Sequence, residues 1–272
     1  MLNYREGAAG MDMLARQEVA QGAFDLVAAQ WPESELKRVR VALDVWSGKA
    51  KPAAHAHQKA AGCFIPDLKD EPWLLPTRLA FSSLLSENYA AIREEARQIL
   101  DGHIVAPPYG LADDAPADAL PKSGNPAGWN EWRLYRSGHF CEERCKFFPT
   151  TTSTIKKILN HTPFMMNAVF LIMEPGEFLP THYDPNNIFV NIWLPLEAPE
   201  GCYLTVAGIT SHPVPGELLV FNHSYLHSAG NKGTTKRIVL SLSVLHPDLS
   251  IVEQEVIKIL AEGGALGKSV PA

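Results

Sequence analysis

Long basic tracts are missing from this chain of 272 residues, whose formal charge is −6. With no run of Lys and Arg to neutralise a row of phosphates, nucleic acid is not expected as a partner. Also missing is any stretch near the roughly 18–20 consecutive apolar residues that a membrane helix requires. The opening residues, with Glu6 and Asp12, do not follow the basic-then-apolar order of a secretory leader. No membrane partner and a cytoplasmic location are therefore expected. Cysteine is scarce, and Cys63, Cys141, Cys145 and Cys202 are too scattered for a disulfide framework, so they are expected to be reduced. His139 ahead of Cys141 and Cys145 hints at zinc, but no second pair completes the about four ligands of a structural site. There is no internal repeat.

What is present is enough apolar content, 46%, for one large core with a smaller helical segment. Residues 13–29 carry Leu14, Val19, Phe24, Leu26 and Val27 at helical spacing, and further helices are expected at 35–46, 86–100 and 153–160. Residues 106–126, rich in Pro, Gly, Ala and Asp, read as a loop or lid. From Phe164 the pattern changes to short β-branched or aromatic runs at 164–173, 188–196, 203–206, 217–221 and 237–244. Such a succession predicts an α+β protein built on an antiparallel sandwich or jelly roll. A last helix is expected at 250–262.

Two His-x-Asp pairs occur, where ten His and thirty Asp plus Glu make about one His-x-acid match expected by chance. His246-Pro247-Asp248 has no histidine beyond it, whereas His182-Tyr183-Asp184 does. Residues two apart on an extended chain point the same way, so His182 and Asp184 can reach one metal ion. Two imidazoles and a carboxylate on one face of iron leave positions open for oxygen chemistry; a solvated surface pair is the plainer alternative. Both His223 and His227 follow the run ending at Phe221. His227 is the expected third ligand, because Ser228-Ala229-Gly230 is small enough to let its loop approach the metal. Ten positions on, Arg237 shares one face of its strand with Val239, Ser241 and Ser243. A guanidinium there needs an anion, either the far carboxylate of a metal-bound diacid or an internal Asp or Glu.

From about Pro126 to Leu249 the chain resembles the aspartyl/asparaginyl β-hydroxylase family of iron(II) and 2-oxoglutarate oxygenases. The likeness rests on Gly128-Trp129-Asn130, Leu134-Tyr135-Arg136, Glu174-Pro175-Gly176, residues 198–202, residues 216–221, His182, His227, Arg237 and residues 246–249. It implies a double-stranded β-helix, cupin-like, with the N-terminal helices packed outside. It also implies Fe(II) held by His182, Asp184 and His227, 2-oxoglutarate anchored by Arg237, and dioxygen. The layout expected is a mainly helical segment over 1–105, the loop or lid over 106–126, the catalytic core over 127–249 and a C-terminal helix and tail over 250–272.

Asp184 stands where the best-known protein hydroxylase of that family has glycine, so its carboxylate fills the position that related halogenases leave to chloride. Where the family often has Arg and His on the strand after the first ligand, this chain has Asn191 and Trp193, and a frequent serine is Leu171. Strand parity makes Asn191 a candidate contact for the cosubstrate. The leading expectation is hydroxylation of a small, amino-acid-like substrate. Asp or Asn residues in a protein, a lipid-linked substrate, and a cupin-like binding protein without oxidative chemistry are the alternatives.

Overall fold

Period-two alternation along Arg237–Leu245 sends Ile238, Leu240, Leu242 and Val244 to one side and Arg237, Val239, Ser241 and Ser243 to the other, yet all nine residues are buried. A strand covered on both faces must lie inside a layered structure. The computed structural model, which describes residues 11–51, 58, 63–69, 71–108, 128–184, 186–263 and 265–266, shows those layers. The helical first part comprises α1 (Met13–Ala28), α2 (Glu33–Trp46), the short β1 (Trp73–Leu74), α3 (Ser82–Glu87) and α4 (Tyr89–Leu100). Then come β2 (Trp129–Arg136), β3 (His139–Phe140), α5 (Glu142–Cys145) and α6 (Pro149–Ile158). The remaining strands are β4 (Met165–Met173), β5 (Phe178–His182), β6 (Phe189–Glu197), β7 (Cys202–Val206), β8 (Ile209–Ser211), β9 (Leu219–Phe221), β10 (His227–Asn231) and β11 (Arg237–Leu245), with α7 (Ile251–Glu262) closing the series.

The strands form an antiparallel seven-stranded sheet, β1-β9-β6-β11-β4-β2-β3, and a four-stranded one, β5-β10-β7-β8. From β4 to β11 the chain alternates between the two sheets, apart from the β7–β8 hairpin within the smaller one, which is the winding of a double-stranded β-helix. The large sheet's outer face buries Ile238, Leu240, Leu242 and Val244 under Ile92 and Ala96 of α4 and Ile155 and Ile158 of α6. Its inner face meets the small sheet through Val169, Leu171, Trp193 and Val239 against Leu179, Leu204 and Ala229. Helices α1, α2 and α7 pack on one another and cover a third cluster containing Phe164, Phe189 and Leu245. Arg38 of α2 grips Glu253 of α7 through Nε at 2.6 Å and Nη2 at 2.7 Å, while Glu253 also accepts the backbone N–H of Ser250 and completes a capping box.

Several elements differ from the sequence reading. The expected helix over 86–100 breaks at Asn88, whose side chain donates to the Leu84 carbonyl. Strand β2 lies well before residue 164; a register shift between Arg133 and Tyr135 disrupts its alternation, which hides it from a period-two reading. Of the expected loop, residues 106–108 run beside β2, with Pro107 accepting the Glu131 N–H, and residues 109–126 lie outside the described residues. Cys145 donates to the Leu134 carbonyl, and all four cysteines are free.

Candidate metal centre

Strand β5 ends at His182 and β10 begins at His227, and these two residues face each other directly across the antiparallel pair. Their ring centroids are 4.1 Å apart. Asp184 lies two residues beyond β5, its backbone N–H held by the His223 carbonyl at 3.1 Å. One ligand atom from each of His182, Asp184 and His227 lies within 4.8 Å of the other two, and this is the metal-competent cluster found among the described residues.

The surrounding hydrogen bonds fix which atoms are offered. His182 Nδ1 lies 2.7 Å from the Pro180 carbonyl and His227 Nδ1 2.8 Å from the Tyr225 carbonyl. A carbonyl only accepts, so each Nδ1 carries the proton and each Nε2 keeps its lone pair for a metal. Burial pushes the His227 imidazole down to about 3, so it is neutral at physiological pH. Asp184 uses Oδ2 to meet His223 Nδ1 at 3.1 Å, while its Oδ1 is buried without a hydrogen-bond partner. A buried carboxylate oxygen left without a donor beside two imidazole lone pairs fits a divalent cation.

The two candidates for the distal histidine thus separate by position. His223 is buried and sits behind Asp184, with Nε2 at 3.4 Å from Asn186 Oδ1. The small residues after His227 do not make an approaching loop: they form strand β10. A Cβ on Gly230 would lie 2.4 Å from Tyr203 Cε1, and Ala229 lines the cavity. Their small size serves close strand packing.

Arg237, at the start of β11, is 1% exposed. Its Cζ lies 4.9 Å from the centroid of the Trp193 ring, and Nε and Nη1 have no acceptor. Among the described residues it makes no ion pair, so the alternative of an internal Asp or Glu partner is not what the fold provides. Burial pushes the guanidinium down to about 10, which leaves it charged at neutral pH. Asn191 faces the same cavity but pairs with Ser243, six residues along β11 from Arg237, while Trp193 packs beside the guanidinium. Leu171 also lines the cavity, whereas Tyr183, between two of the cluster's residues, is not part of its lining. His246, of the second His-x-Asp pair, is buried away from the metal cluster, and Asp248 beside it is ion-paired with Arg78.

Glu131 and Arg133 on β2 were not singled out by sequence reasoning. They pair at 2.7 Å and both line the cavity. The signal was available in the i,i+2 spacing of two charges within an aromatic run, Trp129 to Tyr135.

The chain is 28% identical over 188 residues to the mouse (Mus musculus) aspartyl/asparaginyl beta-hydroxylase, covering 67% of this chain and 24% of that protein. It is 29% identical over 166 residues to the ornithine lipid ester-linked acyl 2-hydroxylase of Rhizobium tropici, covering 60% of this chain and 56% of that one. The chain thus spans only about a quarter of the mouse relative and just over half of the bacterial one. Among solved structures, AviO1 from Streptomyces viridochromogenes Tue57 aligns at 15% identity with a TM-score of 0.35, over 66% of this chain and 89% of that one, a likeness too slight to argue from. Residues 86–247, more than half of the sequence, match the family model of aspartyl/asparaginyl beta-hydroxylase, and that stretch contains every member of the His-Asp-His cluster and Arg237; the chain belongs to the aspartyl/asparaginyl β-hydroxylase family.

Proposed function

We propose that the protein is an iron(II)- and 2-oxoglutarate-dependent hydroxylase acting on a small, amino-acid-like substrate, with residues 127–249 as its catalytic unit. The observation that carries the reading is the partnerless Asp184 Oδ1 beside two imidazoles whose Nδ1 atoms are already engaged. In this reading His182, Asp184 and His227 hold the metal through two Nε2 atoms and Oδ1. When bound, iron(II) with 2-oxoglutarate and dioxygen supplies an oxidation that places one oxygen atom in succinate, releases carbon dioxide and inserts the other oxygen into a C–H bond. Arg237 receives the cosubstrate's far carboxylate with its planar fork, whose charge-assisted bonds run through Nη2 together with one of the two partnerless nitrogens, Nε or Nη1. His223 holds Asp184 in place from behind. Trp193, Leu171, Leu204 and Ala229 line the cavity with apolar surface and keep water from the reacting atoms.

A small substrate is favoured by a cavity of about 240 Å³, which is below the roughly 300–1,000 Å³ of ordinary ligand pockets. The likeness to the Rhizobium tropici enzyme supports a second reading, hydroxylation of a lipid acyl chain. Anaerobic addition of iron(II) and 2-oxoglutarate tests the chemistry: a visible charge-transfer band is expected, and a colourless mixture overturns it. Substrate-dependent succinate formation across amino acids, peptides and lipids then separates the substrate classes.

A further inference from the structure

Hydrogen-bond register sorts the cavity wall into levels. Toward the deep end, Arg237 lies buried behind the lining against Trp193 and pairs with Met173, which in turn pairs with Trp129 of the wall. At the other end Ser243 of β11 stands between Asn191 of β6 and Asn167 of β4, and Asn167 pairs with Arg136 of β2. Directly paired residues share a face, and all four of these line the cavity. Asn191, Ser243, Asn167 and Arg136 therefore form one polar row across four adjacent strands. Six residues separate this row from Arg237 along β11, roughly 20 Å at ~3.3 Å per residue. An anion bound at one level is out of reach of the other.

Beside the row lie the apolar side chains of Met166, Phe189 and Leu266, all lining the same cavity. Met166 would ordinarily point away, since its neighbour Asn167 points in. Ser243 pairs with Asn167 and Val244 with Met165, so Met166 is the extra residue of a bulge, and the bulge turns both side chains inward. Phe189 belongs to the cluster under α1, α2 and α7, and Leu266 follows α7 and packs on it. The accessory helices therefore help to shape the outer compartment as well as covering the barrel.

The charges that line the cavity assign its parts. Among the described residues that line it, the carboxylates are Glu131 and Asp184. Glu131 is ion-paired with Arg133, and Asp184 belongs to the metal cluster. Among the described residues of the outer row Arg136 is the cation; it has interactions of its own and stands beside the side-chain amide of Asn167 and the hydroxyl of Ser243, which are further donors.

We infer that this outer compartment recognises a carboxylate-bearing aliphatic molecule, the carboxylate on Arg136, Asn167 and Ser243 and the aliphatic body against Met166, Phe189 and Leu266. The inference rests on the reading of the deep end as the cosubstrate site. It makes the outer row, rather than Arg237, the determinant of substrate charge.

L-leucine and L-leucinamide, which differ only at the carboxylate, are the probes. Their heats of binding are measured on the full chain with iron(II) and 2-oxoglutarate under anaerobic conditions, alongside the charge-transfer band. Leucine is expected to bind at least tenfold tighter than leucinamide, and Arg136→Gln to remove that preference. Leu266→Ala provides an independent check: it is expected to shift preference from leucine toward the longer L-2-aminooctanoate. Equal binding of leucine and leucinamide, no binding of leucine, or an unchanged preference in both variants overturns the inference. Absence of the band with the leucine preference intact overturns the cosubstrate reading alone and leaves the outer row standing.

Discussion

Replacing Arg237 by methionine is expected to make the protein alone more heat-stable while removing its response to 2-oxoglutarate. The wild-type guanidinium is 1% exposed, and its Nε and Nη1 lack acceptors. Exchanging buried charged groups for apolar ones of similar size is often worth about 1–4 kcal/mol in stability. Against that stands the contact with the Trp193 ring at 4.9 Å, worth roughly 0.5–2 kcal/mol. The balance is a gain of about 1–2 kcal/mol, or roughly 2–8 °C in Tm. In the other direction, each hydrogen bond to a charged group contributes about 1.5–3 kcal/mol, so losing a bidentate clasp weakens 2-oxoglutarate by at least about 100-fold. At a concentration 100 times the wild-type Kd, the cosubstrate stabilises wild type by about 2.7 kcal/mol but the variant by less than about 0.5 kcal/mol. Thermal melts with manganese(II), with and without 2-oxoglutarate, therefore cross: the variant melts higher alone and wild type melts higher with cosubstrate. A variant that melts lower on its own and gains as much as wild type from 2-oxoglutarate refutes the reasoning.

Three other perturbations have definite expected outcomes. His227→Ala should abolish metal binding, whereas His223→Ala, which removes only the group 3.1 Å behind Asp184, should weaken it by about 10–100-fold; titration with iron(II) or manganese(II) distinguishes them, and the reverse ranking would exchange their roles. Gly230→Ala puts a Cβ at 2.4 Å from the Tyr203 ring and is expected to cost about 1–3 kcal/mol, with Tyr203→Ala recovering part of the loss in the double variant. His246 is buried and pushed by desolvation to about 4, its Nδ1 accepting the Asp248 N–H. Against an unfolded value of about 6.5, the unfolded chain binds this proton in the window between and the native chain does not. Stability should then fall as pH drops from about 6.5 to 4, by up to about 3 kcal/mol, and be insensitive to this group above that. Urea midpoints over that range check it, and an equal pH dependence in His246→Gln would be inconsistent with this cause.

How far the site could be read from sequence depends on whether a feature is local to one strand or arises from the pairing of several. The parity of His182 with Asp184, and of Arg237 with Ser241 and Ser243, is a property of a single extended segment. It therefore survives without knowledge of neighbours: His182, Asp184, Ser241 and Ser243 line one cavity, and Arg237 is buried against the Trp193 ring that lines it. Parity also turned Asn191 inward correctly but left its depth unstated, because depth follows from register: Asn191 pairs with Ser243 rather than with Arg237. Composition misdirects in β10, where Ser-Ala-Gly has the look of a loop although the small residues answer to the Tyr203 ring on the adjacent strand. Met166 is hidden more deeply still. Its inward turn exists only because β4 carries one residue more than β11 between two pairs of partners, a count that neither strand contains alone. The metal ligands were legible because two short segments encode their directions. The outer compartment was not, because it is made by register, by a bulge, and by a leucine that follows α7 and is placed there by how that helix packs, which its own sequence does not state.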